Sequence, residues 1–208
     1  MIIHGDCLEE LKKMSDCSVD VVFTSPPYNR KRNDKYDHYT DIIDDYFSFL
    51  VETTEEMLRV SRGHVFLNVQ KNYYNKAEVN KFIGHFSEEI VEIIIWQKTN
   101  PMPAAGKAIT NAYEFFFVLG KKPLKSNSTY TKNILSTGVN SKMPQFHKAV
   151  MKYEVAEWFI NNFTQKDDVV LDPFAGVGTT GLACKNLKRR FILVEKNIEY
   201  YKYCFENI

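Results

Sequence analysis

Apolar and polar positions along this chain follow two periods that give way to one another. Val19-Asp20-Val21-Val22-Phe23-Thr24 alternates and is rich in β-branched residues, which predicts a buried strand. Further strands are predicted over 64–69, over 89–97 around Ile93-Ile94-Ile95-Trp96, over 113–119 with Phe115-Phe116-Phe117-Val118, over 169–172 and over 191–195. Elsewhere apolar residues recur at helical spacing. Ile42, Ile43, Tyr46, Phe47, Leu50, Met57 and Leu58 predict a helix over 41–60, ended by Gly63. Residues 76–86, the stretch marked by Val155, Trp158, Phe159 and Phe163, and residues 179–187 and 198–205 predict others. Strands alternating with helices imply an α/β fold, a mixed and mostly parallel sheet with helices on both faces. Asn29 to Tyr39 is polar and charged and is expected to be a loop. Residues 121–146 hold few apolar positions and are expected to form a short insert in a single domain spanning 1–208.

Composition narrows the class. An apolar share of 44% over 208 residues is enough to fill one core. No apolar run approaches the roughly 20 residues that span a bilayer, and Met1-Ile2-Ile3-His4-Gly5-Asp6 has no signal-peptide pattern. A cytoplasmic protein without membrane contact is expected. Cys7, Cys17, Cys184 and Cys204 are scattered, form no C-x-x-C pair and follow no proline. They read as reduced thiols, with no metal site and no covalent cysteine nucleophile. The formal net charge is only +1, yet between Glu92 and Glu154 the one acidic residue is Glu114, against Lys98, Lys107, Lys121, Lys122, Lys125, Lys132, Lys142, Lys148 and Lys152. A neutral chain with one cationic face suits a polyanionic partner.

Two turns carry the chemistry. Asp172-Pro173-Phe174-Ala175-Gly176-Val177-Gly178-Thr179-Thr180-Gly181 follows a predicted strand and opens a helix. Glycines permit close backbone approach to a ligand, and a helix N-terminus offers N–H groups to a carboxylate or phosphate. Glu195 ends the next strand, where a carboxylate can accept both ribose hydroxyl protons. Gly176-x-Gly178-x-x-Gly181 also meets the dinucleotide fingerprint, but too little chain follows it for a dehydrogenase of the usual layout, and Asp172 departs from that pattern. The other turn is Ser25-Pro26-Pro27-Tyr28. Its prolines forbid a continuing strand and fix where the carbonyl of Pro26 points. Ser25 Oγ and that carbonyl can accept hydrogens from an aromatic amine and localise its lone pair. The ring of Tyr28 offers a face for stacking an extruded base.

Taken together, these turns resemble the amino-group DNA methyltransferases in the β-type order, where the catalytic motif precedes the cofactor motif. Thr24-Ser25-Pro26-Pro27-Tyr28 matches the catalytic motif and Leu171-Asp172-Pro173-Phe174-Ala175-Gly176-x-Gly178-Thr179-Thr180 the cofactor motif. Ile3-His4-Gly5-Asp6-Cys7, Trp96-Gln97-Lys98-Thr99-Asn100-Pro101-Met102-Pro103, Asn111-Ala112-Tyr113-Glu114 and Glu195-Lys196-Asn197 with Tyr200 add to the likeness. The resemblance implies a Rossmann-like fold that binds S-adenosylmethionine, with Asp6, Asp172, Phe174, Gly176, Gly178, Thr179, Thr180 and Glu195 holding it. It implies that Ser25, Pro26, Pro27 and Tyr28 hold the target base, and that the methyl group moves directly to nitrogen without a metal. His147-Lys148-Ala149-Val150-Met151-Lys152 departs from the family, which often has prolines there.

Serine at the first motif position resembles the cytosine-N4 members, whereas Asp or Asn is more usual in the adenine-N6 members. Cytosine N4 is therefore the expected target and adenine N6 the alternative, ahead of an RNA or protein-amide substrate or an inactive DNA-binding homologue. Arg30, Lys31, Arg32, Lys98, Lys121, Lys122 and Lys125 are candidate DNA contacts. Residues 121–146 are the candidate target-recognition region, with Asn127, Asn133, Asn140 and Gln145 as candidate base readers. So short a region suggests a short target, a homodimer or a partner that adds contacts; separately, the resemblance leaves room for a cognate restriction endonuclease.

Overall fold

Short β-branched and aromatic runs that alternate in side-chain direction build the centre of the molecule, seen in a computed structural model that describes residues 1–30, 42–101, 109–138 and 150–208. The elements are β1 (Ile2–His4), α1 (Cys7–Lys13), β2 (Val21–Thr24), α2 (Tyr46–Val60), β3 (Val65–Val69), α3 (Lys76–His85), β4 (Ile90–Lys98), β5 (Tyr113–Leu119), β6 (Ile134–Thr137), α4 (Tyr153–Phe163), β7 (Val169–Asp172), α5 (Thr179–Asn186), β8 (Arg190–Glu195) and α6 (Ile198–Asn207). The strands form one sheet in the order β1-β8-β7-β2-β3-β5-β4-β6. Neighbours from β1 to β3 run parallel, β5 runs antiparallel to both β3 and β4, and β6 runs parallel to β4. The expected mixed, mostly parallel α/β sheet is what forms.

The two-residue period of a strand sorts its side chains between two cores. Val22, Leu67 and Phe117 face one side and pack with Leu11, Leu50, Met57 and Phe82 of α1, α2 and α3. Phe23, Phe66 and Phe116 face the other and pack with Phe159 and Ile160 of α4 and with Ala183 and Cys184 of α5. The rings of Phe116 and Phe159 lie 4.1 Å apart, centroid to centroid. Truncating such a fully buried phenylalanine costs about 3–5 kcal/mol. Among the described residues no helix is long and apolar enough to cross a membrane.

The structure differs from the sequence reading at three places. The helix predicted from Asp41 begins at Tyr46, because Asp45 caps it by accepting from Ser48 N at 3.0 Å; Asp41 lies outside the described residues. β1 escaped the sequence reading because three residues carry no period of their own; it exists by pairing with β8. Within 121–146, Ile134–Thr137 is an edge strand on β4, and Asn127 binds α4 through Asn162 O at 2.8 Å and its side chain through Asn161 O and Thr164 O, each at 2.8 Å. Its described part, 121–138, therefore belongs to the sheet and its flank. Asn127 closes a helix end with the amide that the sequence had offered for reading bases.

Candidate active site

β2 and β7 are adjacent and parallel, so Ser25 and the glycine turn leave the sheet side by side at its carboxyl edge. A hydrogen bond joins them: Thr24 Oγ1 donates to Asp172 Oδ1 at 2.6 Å, across 148 positions of sequence. Asp172 is buried and also accepts from Thr180 Oγ1 at 2.5 Å and from Phe174 N at 3.1 Å. Burial raises its carboxyl pKa, and these donors oppose the shift. Thr180 is itself buried, so it serves the site through Asp172. Gly176 and Gly178 have φ of +54° and +85°. A Cβ on Gly178 would lie 2.0 Å from Ile208 Cδ1 and 2.5 Å from Cys204 Sγ, so only glycine fits beside α6. Glu195 accepts from Gly176 N and from Asn197 N, each at 2.7 Å, and burial raises its pKa. Asp6 caps α1, accepting from Leu8 N at 3.0 Å, and pairs with Lys196 at 3.1 Å. Phe174 meets the ring of Phe49 edge-on at 5.8 Å. Thr179 donates to Met151 O at 3.4 Å. The residues expected around a cofactor thus gather at the carboxyl ends of β1, β8 and β7.

The Ser25–Tyr28 turn is held from outside. Tyr46 Oη donates to Pro27 O at 2.8 Å, and Asn72 and Asn75 donate to Tyr28 O at 3.1 and 2.7 Å. Inside, Ser25 Oγ lies 2.8 Å from Tyr28 Oη and 3.2 Å from Asn68 Oδ1. Tyr28 Oη lies 2.5 Å from Asn68 Oδ1 and 3.0 Å from Glu114 Oε2. Asn68 Nδ2 donates to Phe115 O at 3.0 Å, which turns its oxygen toward both hydroxyls. Glu114 is in turn paired with Lys98. Burial first, then the Glu114 carboxylate, push the Tyr28 phenol well above its ordinary pKa, so it remains a proton donor. Two hydroxyl protons face two strong acceptors, which leaves the lone pairs of Ser25 able to accept from an N–H donor.

Asn68 and Glu114 were not foreseen as site residues. Each carried a signal: Asn68 is a fully buried amide in the apolar strand β3, and Glu114 is the lone acid in a cationic stretch. Lys98, expected among DNA contacts, has a side chain only 15% exposed and bound to Glu114, so it belongs to this network. Lys121, Lys122 and Lys125 are exposed but follow β5, whose last residue, Leu119, pairs with the first of β3, Val65. His64 Nε2 lies 2.8 Å from Lys122 O at that end. Antiparallel insertion of β5 thus puts these lysines at the edge opposite Ser25. Arg30 stays at the edge of Ser25, with its guanidinium 5.2 Å from the Tyr28 ring centroid and 2.5 Å from Gln70 Oε1. One face of the ring expected to stack a base therefore carries Arg30. Lys31, Arg32, Asn140 and Gln145 lie outside the described residues.

A doubly covered, mostly parallel sheet with a glycine turn and a Ser-Pro-Pro-Tyr turn on adjacent strand ends defines the methyltransferase class of α/β protein. A family profile described as DNA methylase, N6_N4_Mtase, matches residues 19–206, and the chain belongs to that family. It is 30% identical over 226 aligned residues to the type II methyltransferase M.MwoI of Methanothermobacter wolfeii, covering 96% of this chain and 33% of the relative. It spans 65% of another type II methyltransferase that it matches. Of solved structures, a PvuII DNA methyltransferase described as cytosine-N4-specific superposes with a TM-score of 0.80 at 20% identity, over 100% of this chain and 87% of that one, a likeness of fold. The M1.HpyAVI–SAM complex superposes with a TM-score of 0.71 at 25% identity, over 99% and 97% of the two chains.

Proposed function

We propose that this chain is an S-adenosylmethionine-dependent DNA methyltransferase that modifies the N4 amino group of cytosine. The observation that carries this reading is the Thr24–Asp172 hydrogen bond, which ties the catalytic turn to the glycine turn at one sheet edge. The residues fit the cofactor. No side chain caps the first turn of α5, whose N–H groups suit an amino-acid carboxylate, and Glu195 suits ribose hydroxyls. Asp172 shapes the turn between them, and Asp6 and Phe174 border it. The likeness to the M1.HpyAVI–SAM complex supports this assignment. When bound, S-adenosylmethionine supplies a methyl group activated by its sulfonium.

The chain's own residues hold the amine. Ser25 Oγ and the carbonyl of Pro26 accept the two amino hydrogens and draw the nitrogen lone pair out of the ring system. Ser25 keeps this orientation because its own proton is directed to Asn68 or Tyr28. Pro27 and Tyr28 have their carbonyls occupied by Tyr46, Asn72 and Asn75, which fixes the turn. Methylation would form one N–C bond at the expense of the sulfonium S–C bond, leaving a neutral thioether, and the cationic amine would pass one proton to water through its hydrogen bond to Ser25 Oγ, so positioning and acceptor dipoles carry the rate.

Serine at the first motif position supports cytosine; the family's name covers both amines, and the same acceptors serve adenine N6. The enzyme would act on DNA in the cytoplasm, as a homodimer and alongside a cognate endonuclease. Residues 121–146 remain the candidate target-recognition region, and within its described part Thr137, at the carboxyl end of β6, lies at the edge of Ser25. Incubation with S-adenosylmethionine and unmethylated genomic DNA, followed by nucleoside mass spectrometry, tests the reading. N4-methylcytosine is expected. N6-methyladenine would overturn the base, and no modified nucleoside would overturn the DNA activity.

A further inference from the structure

The loop from β3 to α3 displays two tyrosines with no apolar reason to be outside. Tyr73 is 69% exposed and Tyr74 is 54% exposed. Most tyrosines that stabilise a fold bury the ring and leave only the hydroxyl wet. These two sit on a stiff support. Asn72 N donates to Asn75 Oδ1 at 2.7 Å, and Asn72 Oδ1 accepts from Tyr74 N at 2.8 Å and from Asn75 N at 3.3 Å. The same two asparagines grip the carbonyl of Tyr28 in the catalytic turn. Asn111 braces the loop from the other side, donating to Lys71 O at 3.0 Å. The exposed rings are therefore locked to the residue beside the target base. Their surroundings are cationic: the Lys76 ammonium lies 4.5 Å from the Tyr73 ring centroid, and Lys71 and Arg30 flank the loop.

Resting on the DNA reading above, we propose that Tyr73 and Tyr74 form a stacking element that packs on the bases left behind when the target nucleotide leaves the duplex, with Lys71 and Lys76 on the adjacent phosphates. Three features argue for a duplex next to an extruded base. Aromatic rings tolerate any base, because every base has a π-face. Lysine beside them meets the charge of the backbone. The rigid tie to Tyr28 keeps the stacking surface in register with the catalytic pocket, so ordering it at binding costs little.

The test measures equilibrium binding and single-turnover methylation with a duplex that carries the mapped target, paired normally or opposite an abasic site. Tyr73→Ala and Tyr74→Ala should each weaken binding to the normal duplex by between about five-fold and a hundred-fold. The loss should shrink on the abasic duplex, where extrusion is easier. Tyr→Phe at either position should behave as wild type, since the ring and not the hydroxyl stacks. Unchanged S-adenosylmethionine affinity shows that the variants are folded. If wild type binds and methylates the duplex and the alanine variants do so equally well, the stacking element is overturned alone. If wild type does not bind DNA, both this surface and the proposed function fall.

Discussion

Replacing Glu114 by glutamine should damage both stability and turnover, and the two losses should come apart in a second variant. The Glu114 side chain is 4% exposed and its partner Lys98 is 15% exposed. Removing one partner of a buried pair altogether costs about 3–5 kcal/mol, because the other charge is left uncompensated. Glutamine keeps an acceptor for Lys98 and for Tyr28, so the cost should fall to about 2 kcal/mol. For a chain of this size that is a drop in Tm of about 4–8 °C. Turnover falls for a different reason. Tyr28 Oη then donates to a neutral amide, and the hold on Ser25 weakens by roughly 1–2 kcal/mol, a fall in kcat of about tenfold with little change in KM. Lys98→Met alone should also destabilise, by stranding the Glu114 carboxylate. The double variant Lys98→Met/Glu114→Gln removes both charges and should recover most of the lost stability while kcat stays low. Thermal unfolding and single-turnover rates on the four proteins close the cycle. Additive losses would refute the pairing as an energetic unit, and a wild-type kcat for Glu114→Gln would refute its link to Tyr28.

Further expectations concern the two turns. Thr24→Val should strip Asp172 of one of its donors and cost about 1–3 kcal/mol in a denaturant titration, with S-adenosylmethionine affinity falling in step; an unchanged midpoint would deny the bridge between the turns. Gly178→Ala combines a φ of +85° with a Cβ 2.0 Å from Ile208 and should abolish S-adenosylmethionine binding by calorimetry; retained affinity would mean that α6 yields easily. Glu195 has a folded-state pKa above its ordinary 4.5, so between those two values the folded state holds more protons than the unfolded one. Its contribution to stability therefore declines as pH rises through that window. Ribose binding needs the carboxylate, so S-adenosylmethionine affinity should rise over the same window; an affinity flat from pH 4.5 to neutrality would exclude Glu195 as the ribose acceptor.

What was legible in the chain is what local chemistry determines. The period of Val19 to Thr24 gives a strand, two prolines after Ser25 give its end, and the glycines after Asp172 give a turn that approaches a ligand. Each of these needs no knowledge of what lies opposite. The site, however, is assembled across strands. Asn68 comes from β3, Glu114 from β5 and Lys98 from β4, and they meet at Tyr28 only because β5 enters the sheet antiparallel between β3 and β4. No local period encodes that reversal. The same reversal decides the fate of the cationic stretch. Read along the chain, Lys98, Lys121, Lys122 and Lys125 form one basic field. Folded, the first turns inward to a carboxylate and the others emerge at the far edge of the sheet. A charge count thus identifies a polyanion binder only after strand direction has assigned each lysine to an end of the sheet. By that test Arg30 and the tyrosine loop, at the edge of Ser25, become the proposed DNA contacts, and a search for lysine runs would pass over the tyrosines.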